Sequence, residues 1–200
     1  NDGQVWIMAG PSLAQGDYTP LSVVGTWSGS GTYVPFGGKW DDINKTFSAS
    51  PVISSPASTA VTIDLKNTQR ILFTHTKQEL AVAFVAEDNP NVIEFNASLT
   101  DRTVLDYLRP QMVGSESVIA GWDIDTTLGD CDVLLSFDIG DGFEAENLRF
   151  WRYSQMSWNR CEPAYVNYSQ GQVSFVVDTL STYAITAPSP EKDSIQSTDW

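Results

Sequence analysis

The amino-acid sequence predicts an all-β fold, namely an antiparallel β-sandwich with Greek-key or jelly-roll-like connections. Short apolar runs alternate with turn residues roughly every 8–12 positions, which is the spacing of strands in sandwiches and barrels. Period-two patterning points the same way: in Val92–Ser98, Ile93 and Phe95 share one face and polar side chains occupy the other. Helical pattern is scarce, and one short helix is expected over Asp101–Arg109, ended by Pro110.

The individual strands follow from apolar runs that lie between turn signals such as Gly37-Gly38 and Gly140-Asp141-Gly142. The run Leu80–Ala86 is apolar on both faces, so we place it at the centre of a sheet. The predicted strands are Val5–Ala9, Ser22–Trp27, Thr32–Phe36, Thr46–Ser50, Ala60–Leu65, Arg70–His75, Leu80–Ala86, Val92–Ser98, Ser117–Asp123, Val133–Ile139, Leu148–Tyr153, Ala164–Tyr168, Gln172–Val177 and Thr182–Thr186.

Residues 1–188 are predicted to form one β-sandwich domain. An alternative organisation is two packed half-domains, residues 1–100 and 117–187, joined near the short helix. Residues 189–200 have no strand pattern and are predicted to be a polar tail or linker, although Trp200 is an unusual residue for a solvated segment.

The charge of the chain argues against two classes of partner. With 25 acidic residues against 11 lysines and arginines, the formal net charge is −14. Such a surface repels phosphate backbones and anionic lipids, so binding to nucleic acid or to a membrane surface is not expected. No stretch reaches the roughly 20 apolar residues of a membrane span. Acidity favours solubility and divalent cations instead.

The two cysteines, Cys131 and Cys161, are predicted to form a disulfide. They are the chain's only cysteines, and other features point to an oxidising compartment. Closing this loop of about 30 residues would stabilise the fold by roughly 3–4 kcal/mol in the chain-entropy model. The alternative is a pair of buried free thiols.

The sequence contains no convincing catalytic set. The sole histidine, His75, lies in a predicted strand without a nucleophile motif nearby, so a structural or surface role is expected. Zinc is disfavoured because one histidine and two distant cysteines make a poor ligand set. Acids that could form a glycosidase pair are Asp41, Asp42, Glu87, Asp88, Asp123, Asp125 and Glu144. Because acids are common at turns, we predict that the protein is not an enzyme.

The densest acidic cluster is a candidate calcium site. Asp123 and Asp125 are followed closely by Asp130 and Asp132, and an Asp-x-Asp pair supplies two oxygen ligands at once. The loop pattern of an EF-hand is absent. The alternative is a solvated acidic loop without metal, and no other cofactor is predicted.

Aromatic residues are numerous, with seven tryptophans in 200 residues. Aromatic rings stack on sugars, fill cores and form subunit contacts, and the sequence leaves these uses open. The candidate sugar-binding or interface residues lie near turns or at the chain's end, and they are Trp27, Tyr33, Trp40, Trp151, Trp158 and Trp200.

Three N-glycosylation motifs begin at Asn44, Asn96 and Asn167. Each asparagine is placed on a predicted polar face or turn. We therefore predict that at least one of the three carries a glycan in a host that glycosylates asparagine.

The C-terminal third has a distinctive order of strands and aromatic residues. It runs from Val133–Gly140 through the tryptophan-containing segment Leu148–Trp158 to Val173–Asp178, and closes on Ser181-Thr182-Tyr183-Ala184. Over residues 117–187 this resembles the closing β-sandwich of bacterial exported and surface proteins, including those with PEP-CTERM-type sorting tails. The resemblance implies an exported β-sandwich and supplies neither a ligand nor catalytic residues.

These expectations favour a non-catalytic structural subunit or module of an extracellular assembly, such as a surface layer, filament or adhesin. The expected partners are copies of the same chain or other surface proteins, and the expected location is outside the cell or on its surface. Two alternatives stay open: a carbohydrate-binding module that recognises polysaccharide, and a calcium-dependent adhesion domain.

Overall fold

The computed structural model describes residues 4–10, 13–18, 32–163 and 165–188 and confirms the all-β sandwich. In chain order the strands are β1 (Gln4–Met8), β2 (Gly16–Tyr18), β3 (Thr32–Phe36), β4 (Gly38–Asp41), β5 (Thr46–Ala49), β6 (Val52–Pro56), β7 (Val61–Asp64), β8 (Arg70–Thr74), β9 (Glu79–Phe84), β10 (Val92–Leu99), β11 (Glu116–Thr126), β12 (Val133–Asp138), β13 (Arg149–Ser154), β14 (Ser157–Cys161), β15 (Val166–Ser169), β16 (Gln172–Val177) and β17 (Thr182–Pro188). The predicted strand Ser22–Trp27 and the predicted tail lie outside the described residues.

Helix is confined, within the described residues, to α1 (Arg102–Asp106) and two 3₁₀ turns, Arg109–Gln111 and Ala145–Asn147. The Asp101 carboxylate starts α1 by accepting hydrogen bonds from the Thr103 N–H at 2.7 Å and the Thr103 hydroxyl at 2.6 Å. The predicted helix is therefore real but ends earlier than expected.

Two six-stranded sheets form the sandwich. Sheet 1 has the strand order β15-β16-β12-β9-β8-β6, and sheet 2 has the order β14-β13-β17-β11-β10-β7. Neighbours are antiparallel except for β6 and β8, which pair in parallel. Each sheet takes strands from both sides of residues 100–116, so segments 1–100 and 117–187 do not form separate halves.

The core between the sheets is rich in stacked and edge-on phenylalanine rings. Phe95 of sheet 2 meets Phe73 and Phe84 of sheet 1 at centroid distances of 5.8 Å and 5.5 Å. Phe175 stacks on Phe137 at 5.3 Å, and all five rings are buried. Aromatic pairs at these separations add specific geometry to the burial of apolar area, which holds the sheets in one relative position.

Part of the outer face of each sheet is also covered. An N-terminal layer, made of the parallel pair β1–β3 and the sheet β2-β5-β4, packs Phe36 against Ala83 and Leu134 of sheet 1. On sheet 2, Leu108 from the α1 region packs against Trp158 and other apolar residues. Apolar side chains on the outer side of each sheet are thus buried beneath a covering segment, which stabilises the packing of that segment.

A buried arginine joins the N-terminal layer to sheet 1. Arg70 is 2% exposed, and its guanidinium donates to the carbonyl of Ser50, to Gly10 O at 3.1 Å and to Leu13 O at 2.6 Å. Burial lowers the Arg70 pKa from its usual value. Gly37 lies beside it with φ of +78°, and a Cβ there would come within 2.9 Å of the Arg70 side chain, so this position requires glycine.

Candidate functional site

A cleft of about 440 Å³ opens at one corner of the sandwich, between β13, β14 and β17 of sheet 2 and the end of β16. Val176 and Val177 supply apolar lining. The polar and titratable residues that line it are Asp132, Arg152, Cys161, Glu162, Asp178 and Tyr183. The cleft combines apolar walls with a few converging polar groups, which is the general character of a binding site.

The charged groups of the cleft are dominated by carboxylates. Arg152 Nη1 lies 3.8 Å from Asp178 Oδ1, a long ion pair at a partly exposed position. Asp132 and Glu162 add two further acids. The Tyr183 hydroxyl donates to the carbonyl of Thr179, and burial raises the Tyr183 pKa, so this tyrosine stays protonated and engaged. The Tyr183 hydroxyl therefore serves a structural role, as the donor of this hydrogen bond.

Both cysteines are free thiols, so the predicted Cys131–Cys161 disulfide is not present in the structure. The two residues belong to different sheets: Cys161 ends β14 in sheet 2, whereas Cys131 precedes β12 of sheet 1 and donates its N–H to Asp178 O at 3.2 Å. Burial raises the pKa of each thiol to about 11, and nearby acids such as Asp132 add to the effect at Cys131. Thiols of this kind are poor nucleophiles at neutral pH.

A second hollow, of about 280 Å³, lies on the other side of the segment that joins β14 to β15. It shares Cys161, Glu162 and Pro163 with the cleft and adds Arg149 and Arg160. The strands on either side of this joining segment, β14 and β15, are the terminal strands of sheets 2 and 1. The two hollows therefore flank the place where both sheets end.

The predicted calcium ligands are not brought together. Asp123 and Asp125 are exposed on β11, and Asp123 Oδ1 accepts a hydrogen bond from the Thr182 hydroxyl at 2.6 Å. Asp130 and Asp132 lie in the loop that crosses to sheet 1. Among the residues that the structure describes, no group of three or more acids, cysteines or histidine is placed to hold a metal ion. The calcium prediction is thus without support.

The three glycosylation motifs differ in exposure. Asn167 is exposed on β15, and Asn44 is exposed in the β4–β5 turn, where its Nδ2 donates to Asp41 Oδ2 at 2.7 Å. Asn96 is only half-exposed, and its Oδ1 is buried without a hydrogen-bond partner. Asn44 and Asn167 are therefore the more accessible of the three positions, and whether any of them carries a glycan stays a prediction.

The tryptophans of the C-terminal third are structural. Trp151 is 6% exposed and donates to the Thr186 hydroxyl at 2.9 Å, and Trp158 is 2% exposed and donates to Val104 O at 2.8 Å. Neither ring can stack on a sugar or a partner, so that part of the prediction is wrong. Trp27 and Trp200 lie outside the described residues.

Tyr33 and Trp40 form a half-buried stacked pair in the N-terminal layer, with ring centroids 4.7 Å apart. The Lys45 ammonium lies 5.8 Å from the Tyr33 ring centroid. These rings stay partly accessible beside the polar β4–β5 turn, so they remain candidates for sugar or partner contact.

Three of the residues considered for catalysis, His75, Asp41 and Asp42, lie at the surface or in turns. His75 is exposed, and its Nδ1 accepts from the Lys77 N–H at 3.3 Å. Asp41 caps the β4–β5 turn, and its hydrogen bonds from Asn44 hold the Asp41 pKa below its usual value. Asp42 pairs with Lys45 at 2.5 Å. Asp41 and Asp42 thus hold the β4–β5 turn.

Sequence reasoning overlooked Arg152, Asp178 and Tyr183 of the cleft and the strand β14. One signal was available: the segment 149–161 contains three arginines and no acid, although acids outnumber cations by more than two to one in the whole chain. A basic hairpin in such an acidic protein marks a surface with a different role.

No known protein family matches the chain, and no curated protein shows significant similarity to it. The resemblance to exported sandwiches therefore stays a prediction. Among the described residues, there is no helix long and apolar enough to span a membrane.

Proposed function

We propose that this protein is a non-catalytic module of an extracellular assembly and that it joins its neighbours at the side of the sandwich where β14 and β15 end the two sheets. One observation carries the proposal. Other segments of the chain cover the apolar part of each outer sheet face, whereas the outer edge of β14 has no described strand beside it. Unpaired sheet edges accept strands from other chains.

The chemistry of the adjoining cleft supports a binding role over a catalytic one. The Tyr183 hydroxyl is committed to a backbone carbonyl, and the Cys161 thiol has a raised pKa. Arg152 is paired with Asp178, and no histidine lines the cleft. A nucleophile and a general base within hydrogen-bonding reach are the usual requirement for covalent catalysis, and these residues do not supply them.

The test is the state of association of the native protein at its source. Size-exclusion chromatography with light scattering should find it in complexes. Cross-linking mass spectrometry with a carboxyl-reactive reagent should then give cross-links concentrated at the exposed Glu146 and Glu162, and the exposed Glu79 and Asp88 provide reference positions outside that region. A strictly monomeric protein in native extracts, with no cross-linked partner, would contradict the proposal.

A carbohydrate-binding module is the second candidate, because the half-exposed Tyr33–Trp40 pair lies beside the carboxylates and amide of the β4–β5 turn. Aromatic rings and planar polar groups together are a common sugar-binding combination. Affinity electrophoresis in a panel of polysaccharides should show retardation that Trp40→Ala removes. Tyr107→Ala, at a 67% exposed aromatic elsewhere, is the matched control. Migration unaffected by every polysaccharide would eliminate this candidate.

A further inference from the structure

We infer that β14 is a docking strand for an extended, acidic segment of a partner protein, which pairs with the strand and lengthens sheet 2. The inference rests on the proposed function and specifies its strand and the chemistry of its partner. Three features of β14 support this inference: its unpaired backbone groups, its difference from the other terminal strands and its positive charge.

Within the described residues, the outer edge of β14 carries backbone hydrogen-bonding groups that no strand pairs with. Two residues lie between the paired Ser154 and Ser157, and in such a tight hairpin the closing pair exchanges both backbone hydrogen bonds. Alternation then directs the N–H and C=O groups of Asn159 toward β13 as well. The same groups of Trp158 and Arg160 point to the free edge, where the one recorded hydrogen bond is a 3.5 Å contact from the Ser157 hydroxyl to Trp158 O.

The other terminal strands are less suited to pairing. Strand β6 begins after Pro51 and ends at Pro56, and proline cannot donate to a ladder. Strand β15 contains Asn167, an exposed glycosylation motif, and has four residues. By contrast, β14 has five residues, contains no proline and has no such motif. It is thus less protected than β6 and β15, whereas β7, the fourth terminal strand, has four residues and ends at Asp64, whose charge disfavours an acidic neighbour.

Charge identifies the partner as acidic. Arg149, Arg152 and Arg160 lie on the β13–β14 hairpin without an intervening acid, in a chain of formal net charge −14. Arg160 is exposed and makes no ion pair with any described residue. Opposite charges across neighbouring strands stabilise pairing, and like charges oppose it. A carboxylate opposite Arg160 is therefore the favoured neighbour.

A second copy of this chain does not supply that charge at the terminal strands of its sandwich, and Asp17 and Asp41 of its N-terminal layer already accept hydrogen bonds from Ser48 and Ile43. Strands β6, β7 and β15 together contain one acidic residue, Asp64, and β14 itself is basic. A partner of different sequence fits better. Side chains of the added strand alternate, so every second residue faces Arg160 and the outer surface, and the others face the sandwich interior beside Cys161. The matching pattern alternates acidic and small apolar residues.

The probe is a fluorescein-labelled heptapeptide in which Glu and Val alternate, titrated with the whole protein and followed by fluorescence anisotropy. The matched control peptide has Lys in place of each Glu. We expect the Glu peptide to bind at least tenfold more tightly than the Lys peptide, with an affinity that falls as salt is raised. Amide hydrogen exchange at Trp158 and Arg160 should slow on binding, whereas Asn159 is already protected.

Variants at one position separate charge from backbone. Arg160→Gln keeps the N–H and removes the charge, so it should weaken binding of the Glu peptide about tenfold. Arg160→Pro also removes the free-edge N–H and should abolish binding; circular dichroism and the melting temperature verify that it is folded. Arg102→Gln, at an exposed arginine of α1, is the control and should bind as the parent protein does.

Three results would overturn the docking strand: equal binding of both peptides, binding unchanged in folded Arg160→Pro, or unaltered exchange at Trp158 and Arg160. If native assembly persists in Arg160→Pro while the peptide does not bind, the docking strand is wrong and the proposed function stands. If native material is monomeric but the peptide binds as expected, the proposed function is wrong and the docking strand stands.

Discussion

The sandwich and the N-terminal layer are held together by different means. The sandwich is joined by a continuous cluster of large apolar side chains that both sheets contribute. The layer has a small cluster of its own, Ile7, Ala9, Phe47 and Ala49, and is tied to sheet 1 by Phe36 and by the guanidinium of Arg70. We therefore expect the layer to depend on the sandwich for its stability more than the sandwich depends on the layer.

The largest expected effect comes from the shared core. Phe175 is fully buried and contacts Phe137, Phe150 and Tyr183. Phe175→Ala leaves a cavity and should lower the free energy of unfolding by about 3–5 kcal/mol, measured by urea denaturation. The whole domain should become less stable. Tyr107→Ala, at an exposed position, should change stability by less than about 0.5 kcal/mol.

Arg70→Met tests whether the layer is a dependent part. The substitution leaves the carbonyls of Ser50, Gly10 and Leu13 without their donors, and we expect a loss of about 2–4 kcal/mol. Hydrogen exchange should rise in β1 and β5 and stay slow in β12 and β16. Arg70→Lys, which keeps the charge but not the forked donors, should be intermediate. Equal acceleration in all four strands would show that layer and sandwich unfold as one unit.

The thiols report on the sandwich alone. With folded pKa values of about 11, both cysteines should react with iodoacetamide at pH 8 on the order of 10–100-fold more slowly than in the unfolded chain. Because the folded pKa is raised, the neutral thiols favour folding below the unfolded pKa of about 8.5, and that stabilisation is lost as the pH rises through 11. Alkylation rates unchanged by Arg70→Met would sharpen the distinction between the two regions.

The smallest effect concerns the tip of the β13–β14 hairpin. Gln155 and Met156 have φ values of +52° and +60°, a left-handed conformation in which side chains other than glycine and asparagine are strained. The double change Gln155→Asn and Met156→Gly should stabilise the sandwich by about 1 kcal/mol, seen as a higher melting temperature. Amide hydrogen exchange in the N-terminal layer should also slow in this variant only if the layer unfolds together with the sandwich.

The hydrophobic pattern of the sequence correctly predicted which face of a strand is buried, but it did not predict which strands pair with each other. In β10 the predicted core face is confirmed, since Ile93, Phe95 and Ala97 are buried. The side-chain period of a strand reports which residues share a face, but not which strand lies alongside, so the parallel pairing of β6 with β8 was not foreseen. Strand β14 was not predicted because Ser157–Cys161 is mostly polar and has no apolar run between the predicted strands Leu148–Tyr153 and Ala164–Tyr168.

The candidate site was predicted less completely than the fold. The cleft brings together Asp132, Arg152 and Asp178, which are distant in sequence and converge only when the two sheets pack. Burial of Asn96 Oδ1 likewise depends on what covers the outer face of β10, and a strand's own polar pattern does not contain that information. Both are consequences of non-local packing.

The position of β17 has a consequence for how the chain is made. This strand follows every other described strand in sequence, yet it lies between β11 and β13 inside sheet 2 and supplies Tyr183 and Ile185 to the core. Until Thr182–Pro188 emerges from the ribosome, β13 and β14 have no place to attach and the core stays open to water. We therefore expect sheet 2 to assemble late, only after β17 has been synthesised and can pair with both β11 and β13.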